Sequence, residues 1–337
     1  MQEREMTMLE ALNLALDQAL AKDERVFLLG EDIADPAGGI VGVTKGLSTK
    51  HGHERVRDTP ISEAAILGAA VGAGLQGFRP VAEIMFMDLI PLAMDQILNH
   101  AAKMRFMTAG RMSSPITIRT AVIGGMGMGP GATHSQTLEG WFMHVPGLKI
   151  AMPATPADAK GLLTAAIFED DPVLFVETAA LYGTRGMVPV DGVAIPFGQA
   201  RVARRGDDVT IIGYGLGLRE ALTAAETLAK DGISAEVIDL RTLLPLDFPT
   251  VLESVARTRR AVIVHFATRF AGPGAEIAAT INEELFGQLA APVARVGARF
   301  APIPQASTLE AATFPDSAKI ADAVRRTMGG AAAPTKG

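Results

Sequence analysis

Three features of the sequence predict an α/β protein of two domains. Short apolar runs alternate regularly with helix-length segments, the alternation stops from Tyr182 to Arg205, and 337 residues exceed one ordinary core. Strand–helix alternation of this kind implies a mostly parallel sheet covered on both faces. Apolar residues make up 48% and charged residues 20%, the balance of a well-buried chain rather than a disordered one. Aromatics are few, while Ala and Gly are many. Small side chains leave flat surfaces of the sort that another subunit covers.

Thr7-x-x-Glu10 reads as a capping box before a helix that runs to about Lys22. Arg25–Gly30 is a short apolar strand, and Glu31–Gly39 a loop rich in breakers and acid. Pro60 keeps Thr59 out of the α region, so the next helix starts after it, with Ser62 as the expected cap and Glu63 in the first turn, and runs to about Gly77. Pro80–Phe86 is a strand, Leu89–Phe106 a long helix, and Pro115–Arg119 a strand. Gly124–Gly131 carries five glycines in eight residues and cannot hold a regular element. Leu148–Met152 is a strand, Thr155–Phe168 a helix opened by Thr155-Pro156, and Pro172–Glu177 a strand. The pattern restarts with a strand over Asp208–Gly213. A helix to Lys230, strand Ser234–Leu240, helix Phe248–Arg257 and strand Arg260–His265 follow. Helix Gly274–Leu285, strand Pro292–Val296 and a last helix over Ser317–Met328 complete it. The expected domains are 1–185 and 207–328, with a linker over 186–206 and a disordered Ala/Gly/Pro-rich tail over 329–337.

Several function classes are disfavoured. A net charge of −6 argues against sequence-independent nucleic-acid binding. Cysteine is absent, so there are no disulfides, thiolate metal sites or Cys nucleophile. The charged N-terminus shows no signal peptide and no apolar run reaches membrane-span length, which gives a cytoplasmic protein as the expectation. No His pair has metal spacing, and no Ser–His–acid order stands out. His51 and His53 read as a solvated loop, and His100 as a helix-packing residue as readily as a functional one. Gly213-x-Gly215-x-Gly217 lacks the third spaced glycine and acidic partner of a dinucleotide fingerprint and reads as a plain strand-to-helix turn. Two residues remain. Glu63 is a carboxylate at the mouth of an apolar, small-residue helix, where helix dipole and backbone amides favour it but burial is costly unless something uses it. His134 leaves a glycine-rich loop beyond a strand, where parallel sheets expose ligand sites.

Longer motifs in series add to this. Gly30-Glu31-Asp32, Arg57-Asp58-Thr59-Pro60-Ile61-Ser62-Glu63, Gly77-Phe78-Arg79-Pro80-Val81 and Asp95-Gln96-Ile97 open the series. Ala101-Ala102-Lys103-Met104-Arg105, His134-Ser135-Gln136, Pro146-Gly147-Leu148-Lys149 and Asp158-Ala159-Lys160-Gly161 continue it. Glu236–Asp247 and Gly274-Ala275-Glu276-Ile277 close it. Together, from about Met6 to Met328, they resemble the β subunit of the thiamine diphosphate-dependent decarboxylating component of 2-oxo acid dehydrogenases, of pyruvate, branched-chain or acetoin type. The resemblance implies a transketolase-like pyrimidine-binding domain, with a parallel sheet and helices on both faces, followed by a transketolase C-terminal α/β domain. It implies that Glu63 hydrogen-bonds the cofactor's aminopyrimidine, that His134 acts near the transferred acyl group, and that Ile61 and Leu89 line the cofactor. It also implies a monovalent cation such as K+ held by the backbone around Ala166, Ile167, Glu169 and Asp171.

The Gly-Asp-Gly…Asn motif that holds Mg2+ and diphosphate in such enzymes is missing. An α subunit is therefore expected to supply that half of the site in an α2β2 heterotetramer, with a lipoyl-bearing acyltransferase core as acceptor. The chain departs from the resemblance at Leu89, where Phe is usual, at Phe266, where Glu is usual, at Pro273, and around Arg299. Two other readings stay open: a split transketolase-like ketol transferase, and a partner subunit without activity.

Overall fold

The computed structural model describes residues 2–39, 41–127 and 130–329, and the chain divides into two compact units. Unit 1 comprises 1–123 and 141–197; unit 2 comprises 124–140 and 198–337. The tail expected beyond Gly329 and residues 128 and 129 of the glycine-rich loop lie outside the described residues.

Unit 1 is built on parallel strands β2 (Val26–Gly30), β3 (Val56–Asp58), β4 (Arg79–Phe86), β5 (Thr117–Val122), β6 (Lys149–Ala151) and β7 (Val173–Thr178). They lie in the order β6-β7-β5-β4-β2-β3, every pair parallel. β2, β5 and β7 are buried at every position, as strands covered on both faces must be. The capping box forms as expected, with the Thr7 amide donating to Glu10 Oε2 at 2.7 Å and the Glu10 amide to Thr7 Oγ1 at 3.2 Å, ahead of helix Met8–Lys22. That helix packs against helix Pro156–Ile167, whose N-cap is Thr155.

Three expectations need correction here. Ser62 stands at the N-cap position but makes no side-chain capping hydrogen bond; its ψ of 85° differs from the 162° and 156° of the caps that form at Thr7 and Thr155. The long helix over Leu89–Phe106 is broken into a 3-10 segment, Met87–Ala93, a π-helical turn, Gln96–Ala101, and a short α-helix, Met104–Met107. Pro91 lies inside the 3-10 segment, which begins two residues before the expected start. The stretch read as linker contains two strands. β8 (Arg185–Pro189) pairs antiparallel with β1 (Glu3–Thr7), and β9 (Arg201–Arg204) joins the sheet of unit 2. A further difference is His51, which ends helix Leu47–His51 with its Nε2 2.7 Å from Asp17 Oδ1 instead of lying in a solvated loop.

Unit 2 carries β9, β10 (Val209–Gly213), β11 (Ala235–Asp239), β12 (Thr242–Leu244), β13 (Ala261–Thr268) and β14 (Ala294–Ala298). β14-β13-β10-β11 run parallel and β9 closes the edge antiparallel. Helices Gly215–Lys230, Phe248–Thr258, Pro273–Glu284 and Ser317–Thr327 cover it, close to the spans expected. Gly213–Gly217 is the plain strand-to-helix turn that its spacing suggested. A Cβ at Gly217 would come within 3.1 Å of the Val264 carbonyl oxygen, so the glycine serves close packing.

Candidate functional site

Ligands of parallel α/β sheets bind beyond the carboxyl ends of the strands. In unit 1 two side-chain and backbone ties hold those ends together. The Thr59 amide donates to the Gly30 carbonyl at 3.0 Å, and the Ala34 amide to Asp58 Oδ1 at 2.7 Å. Asp35 then orders the following loop, accepting from the Gly46 and Thr49 amides and the Ser48 and Thr49 hydroxyls at 2.6–2.9 Å. Those bonds, the Thr49 hydroxyl first, hold its carboxyl well below the usual range.

Glu63 is the first residue of helix Glu63–Leu75 and is 9% exposed. Among the described residues its carboxylate takes no hydrogen bond. Its neighbour is Glu31, whose carboxyl is raised by burial and then by the nearby charges of Asp32 and Glu63. A nearly buried carboxylate with another carboxylate beside it and no donor is costly on its own. Ile61 is 74% exposed, at the lip of this region. Leu89 is half-buried on the 3-10 segment that packs against helix Glu63–Leu75, so the structure brings its element beside that of Glu63.

The residues expected to hold a monovalent cation cluster elsewhere, at the amino end of β4. Arg79 donates to the Glu169 carbonyl at 2.9 Å, the Ile167 carbonyl at 3.5 Å and Asp170 Oδ1 at 2.6 Å. The Glu169 amide donates to the Ala166 carbonyl at 3.2 Å, and Arg105 pairs with Asp171. Among the described residues no three His, Asp or Glu are grouped to hold a metal.

Sequence reasoning missed a buried ionic cluster. Arg119 is 3% exposed and donates through Nε to Glu177 Oε1 at 2.7 Å and through Nη1 to Glu83 Oε2 at 2.6 Å. The Tyr182 hydroxyl donates to Glu177 Oε2 at 2.7 Å. Burial opposes the charge on Arg119, but the carboxylates of Glu177 and Glu83 outweigh it and keep the guanidinium protonated. The group lines a small cavity with Gly39, Val43 and Met85. Its signal was available: charges of both signs stand inside otherwise apolar strands, which is tolerated only when they pair.

His134 belongs to unit 2, on the 124–140 segment. It is half-buried, its amide donates to the Gly131 carbonyl at 3.2 Å, and its Nδ1 lies 3.0 Å from the Thr133 hydroxyl. Two fully buried carboxylates flank the segment. The Gly125 amide donates to Glu310 Oε1 at 3.0 Å, and the Tyr214 hydroxyl donates to Glu139 Oε1 at 2.6 Å. Burial pushes the Glu139 carboxyl up to about 7 against the Tyr214 hydrogen bond. His265, behind Tyr214, is pulled down to about 4 by burial.

The two α/β units place the chain in the transketolase class of two-domain proteins. The families described as "Transketolase, pyrimidine binding domain" and "Transketolase, C-terminal domain" match residues 4–184 and 198–320. A solved split gene transketolase, an inactive beta4 tetramer, has the same fold at TM-score 0.79 and 22% identity, over 96% of this chain and 98% of that one. Within that class, the chain belongs to the family of β subunits of 2-oxo acid and acetoin dehydrogenases. It is 47% identical to the acetoin:2,6-dichlorophenolindophenol oxidoreductase subunit beta of Cupriavidus necator, over 97% of this chain and 98% of that one. It is 44% identical to the mitochondrial pyruvate dehydrogenase E1 component subunit beta of Caenorhabditis elegans, over 96% and 92% of the two chains. It is also 44% identical to the 2-oxoisovalerate dehydrogenase subunit beta of Bacillus subtilis, over 95% and 98%.

Proposed function

We propose that this chain is the β subunit of an oxidoreductase acting on a 2-oxo acid or acetoin, dependent on thiamine diphosphate and active only with an α subunit. The observation that carries this reading is Glu63: nearly buried, at a helix start, beside Glu31, and with no donor among the described residues. A protonated aminopyrimidine ring nitrogen would donate to this carboxylate, and a neutral one would accept from its carboxylic acid form, so the residues present suit the cofactor. Thiamine diphosphate, when bound, supplies the carbon nucleophile that adds to the oxo carbon.

The chain's own part is to hold and move protons. Glu63 would hold the aminopyrimidine ring nitrogen through a shared proton. Leu89 would pack on the ring without the stacking that an aromatic side chain would add. His134 orients the acyl group as it passes to a lipoyl acceptor. Mg2+ and the diphosphate fall to the α subunit, since this chain has no Gly-Asp-Gly. The assembly proposed is an α2β2 heterotetramer docked on a lipoyl-bearing core, and a K+ ion on the 166–171 backbone would share the Ile167 and Glu169 carbonyls with Arg79.

The test is co-expression with the α subunit and reduction of 2,6-dichlorophenolindophenol with pyruvate, 2-oxoisovalerate or acetoin as substrate. Turnover by the wild-type pair and a loss of about 10² to 10⁴ in Glu63→Gln is expected, the usual size of a general acid–base contribution. Full activity in Glu63→Gln would sink the assignment of the acid. Turnover of sugar phosphates alone would sink the reaction class.

A further inference from the structure

Five glycines in eight residues leave the Gly124–Gly131 backbone little conformational preference of its own. A histidine that takes part in chemistry has to be held to a fraction of an ångström, and a loop of this composition does not do that unaided. Unit 2 shows what holds it. At the near end, the Gly125 amide donates to Glu310 Oε1 at 3.0 Å, and Glu310 is fully buried in helix Ser307–Thr313. The same two residues are clamped sterically. A Cβ at Gly125 would lie 2.8 Å from the Phe266 ring, and a Cβ at Gly124 2.8 Å from the Phe314 ring, with the Ser135 carbonyl closer still. Phe266 and Phe314 stack with centroids 5.3 Å apart. Phe266 thus has a packing role under the loop at the position where the resemblance led to an expected Glu.

At the far end, Glu139 is fully buried, accepts the Tyr214 hydroxyl at 2.6 Å, and has an Oε2 with no partner among the described residues. Next to it, Gly140 sits against Pro273, with 3.4 Å between an added Cβ and Pro273 Cδ. Two buried carboxylates are an expensive way to fasten a loop, and apolar side chains would cover the same surface at lower cost. What they add is direction, because each fixes one atom at hydrogen-bond distance.

We propose that Glu310 and the Glu139–Tyr214 pair are positioning residues that set the place of His134 by fastening both ends of its loop to the C-terminal unit. The inference rests on the function proposed above for His134. Its test uses the complex with the α subunit, the β chain carrying ¹³C-labelled histidine, with the His134 signal assigned by its loss in His134→Asn. Activity is read with 2,6-dichlorophenolindophenol and whichever of pyruvate, 2-oxoisovalerate or acetoin the wild type turns over.

Tyr214→Phe and Glu310→Ala should move the His134 signal and lower kcat about tenfold or more, the order expected for a misplaced group, with KM changed less than about twofold. Glu310→Gln keeps an oxygen for the Gly125 amide and should restore both the signal and kcat. An unmoved His134 signal with wild-type kcat in Tyr214→Phe and Glu310→Ala overturns the proposal, as does a folded Glu310→Gln that behaves like Glu310→Ala. If Tyr214→Phe does not fold, the Glu310 pair of variants decides alone. A wild-type complex without turnover refutes the proposed function, and the histidine signal then still decides whether these residues place His134.

Discussion

Replacing Arg119 with leucine removes the cation that Glu83 and Glu177 share and leaves the two carboxylates facing each other. Three charge-assisted contacts vanish, Nε to Glu177 at 2.7 Å, Nη1 to Glu83 at 2.6 Å and Nη2 to Glu177 at 2.6 Å. Glu177 is 1% exposed, so water does not replace them. Breaking a buried pair by deleting one partner costs about 3–5 kcal/mol, most of it the penalty on the charge left behind. For a unit of this size that corresponds to a fall in Tm of roughly 10 °C. The expected pH dependence has a definite sign. Burial already raises the Glu177 carboxyl, and without Arg119 only the Tyr182 hydroxyl opposes it. A carboxyl raised in the folded state contributes stability at low pH that is lost as pH rises. The deficit of Arg119→Leu should therefore shrink between pH 7.5 and pH 5, and adding Glu177→Gln should recover part of it at pH 7.5. Differential scanning fluorimetry of wild type, single and double variants over that range measures all three. A Tm within about 2 °C of wild type at pH 7.5, or a deficit that grows on acidification, would refute the reasoning.

Further outcomes are expected. Glu139 is raised by burial from 4.5 to about 7, so native stability should decline from about pH 4.5 and level off above about pH 7, by about 3 kcal/mol in all. Glu139→Gln should flatten that slope in urea titrations run at pH 5 and pH 8, and an unchanged slope would refute it. Thr155→Ala removes the hydroxyl that accepts the Asp158 amide at 3.2 Å and should cost about 1 kcal/mol, read as a shift in urea midpoint without a change in slope. Leu89→Phe should tighten thiamine diphosphate binding to the α/β complex by several-fold, the value of about 1 kcal/mol from an added aromatic contact, and calorimetric titration showing equal or weaker binding would count against Leu89 lying on the ring.

How far the sequence reached follows from which interactions are local. The capping box at Thr7 and Glu10, the Thr155-Pro156 helix start and the buried strands Val26–Gly30 and Val173–Thr178 are written in neighbouring residues, and they formed where the spacing placed them. The chain's order of strands and helices and the series of motifs around Glu63 and His134 likewise established the two-unit α/β architecture and the family before any coordinate. Other features depended on partners far away in the chain. β1 and β8 are polar, short and 178 or more residues apart, and each becomes a strand only by pairing with the other, Glu3 opposite Pro189 and Thr7 opposite Arg185. The helix expected over Leu89–Phe106 is instead a 3-10 segment, a π-helical turn and a short α-helix, a division that apolar periodicity does not show. Arg119 could be seen in the sequence as a charge inside a strand, but its two carboxylates come from strands β4 and β7, and only the sheet order β7-β5-β4 sets them on either side of it. The fastening of the His134 loop is of the same kind. Glu310 and Tyr214 are distant in sequence from the glycines and from Glu139, and buried hydrogen bonds between them exist only once the C-terminal unit has closed around the loop. Residue type and spacing thus determined the family and the order of elements, which are written locally, and tertiary packing decided which buried charges are paired, because their partners come from distant strands and helices.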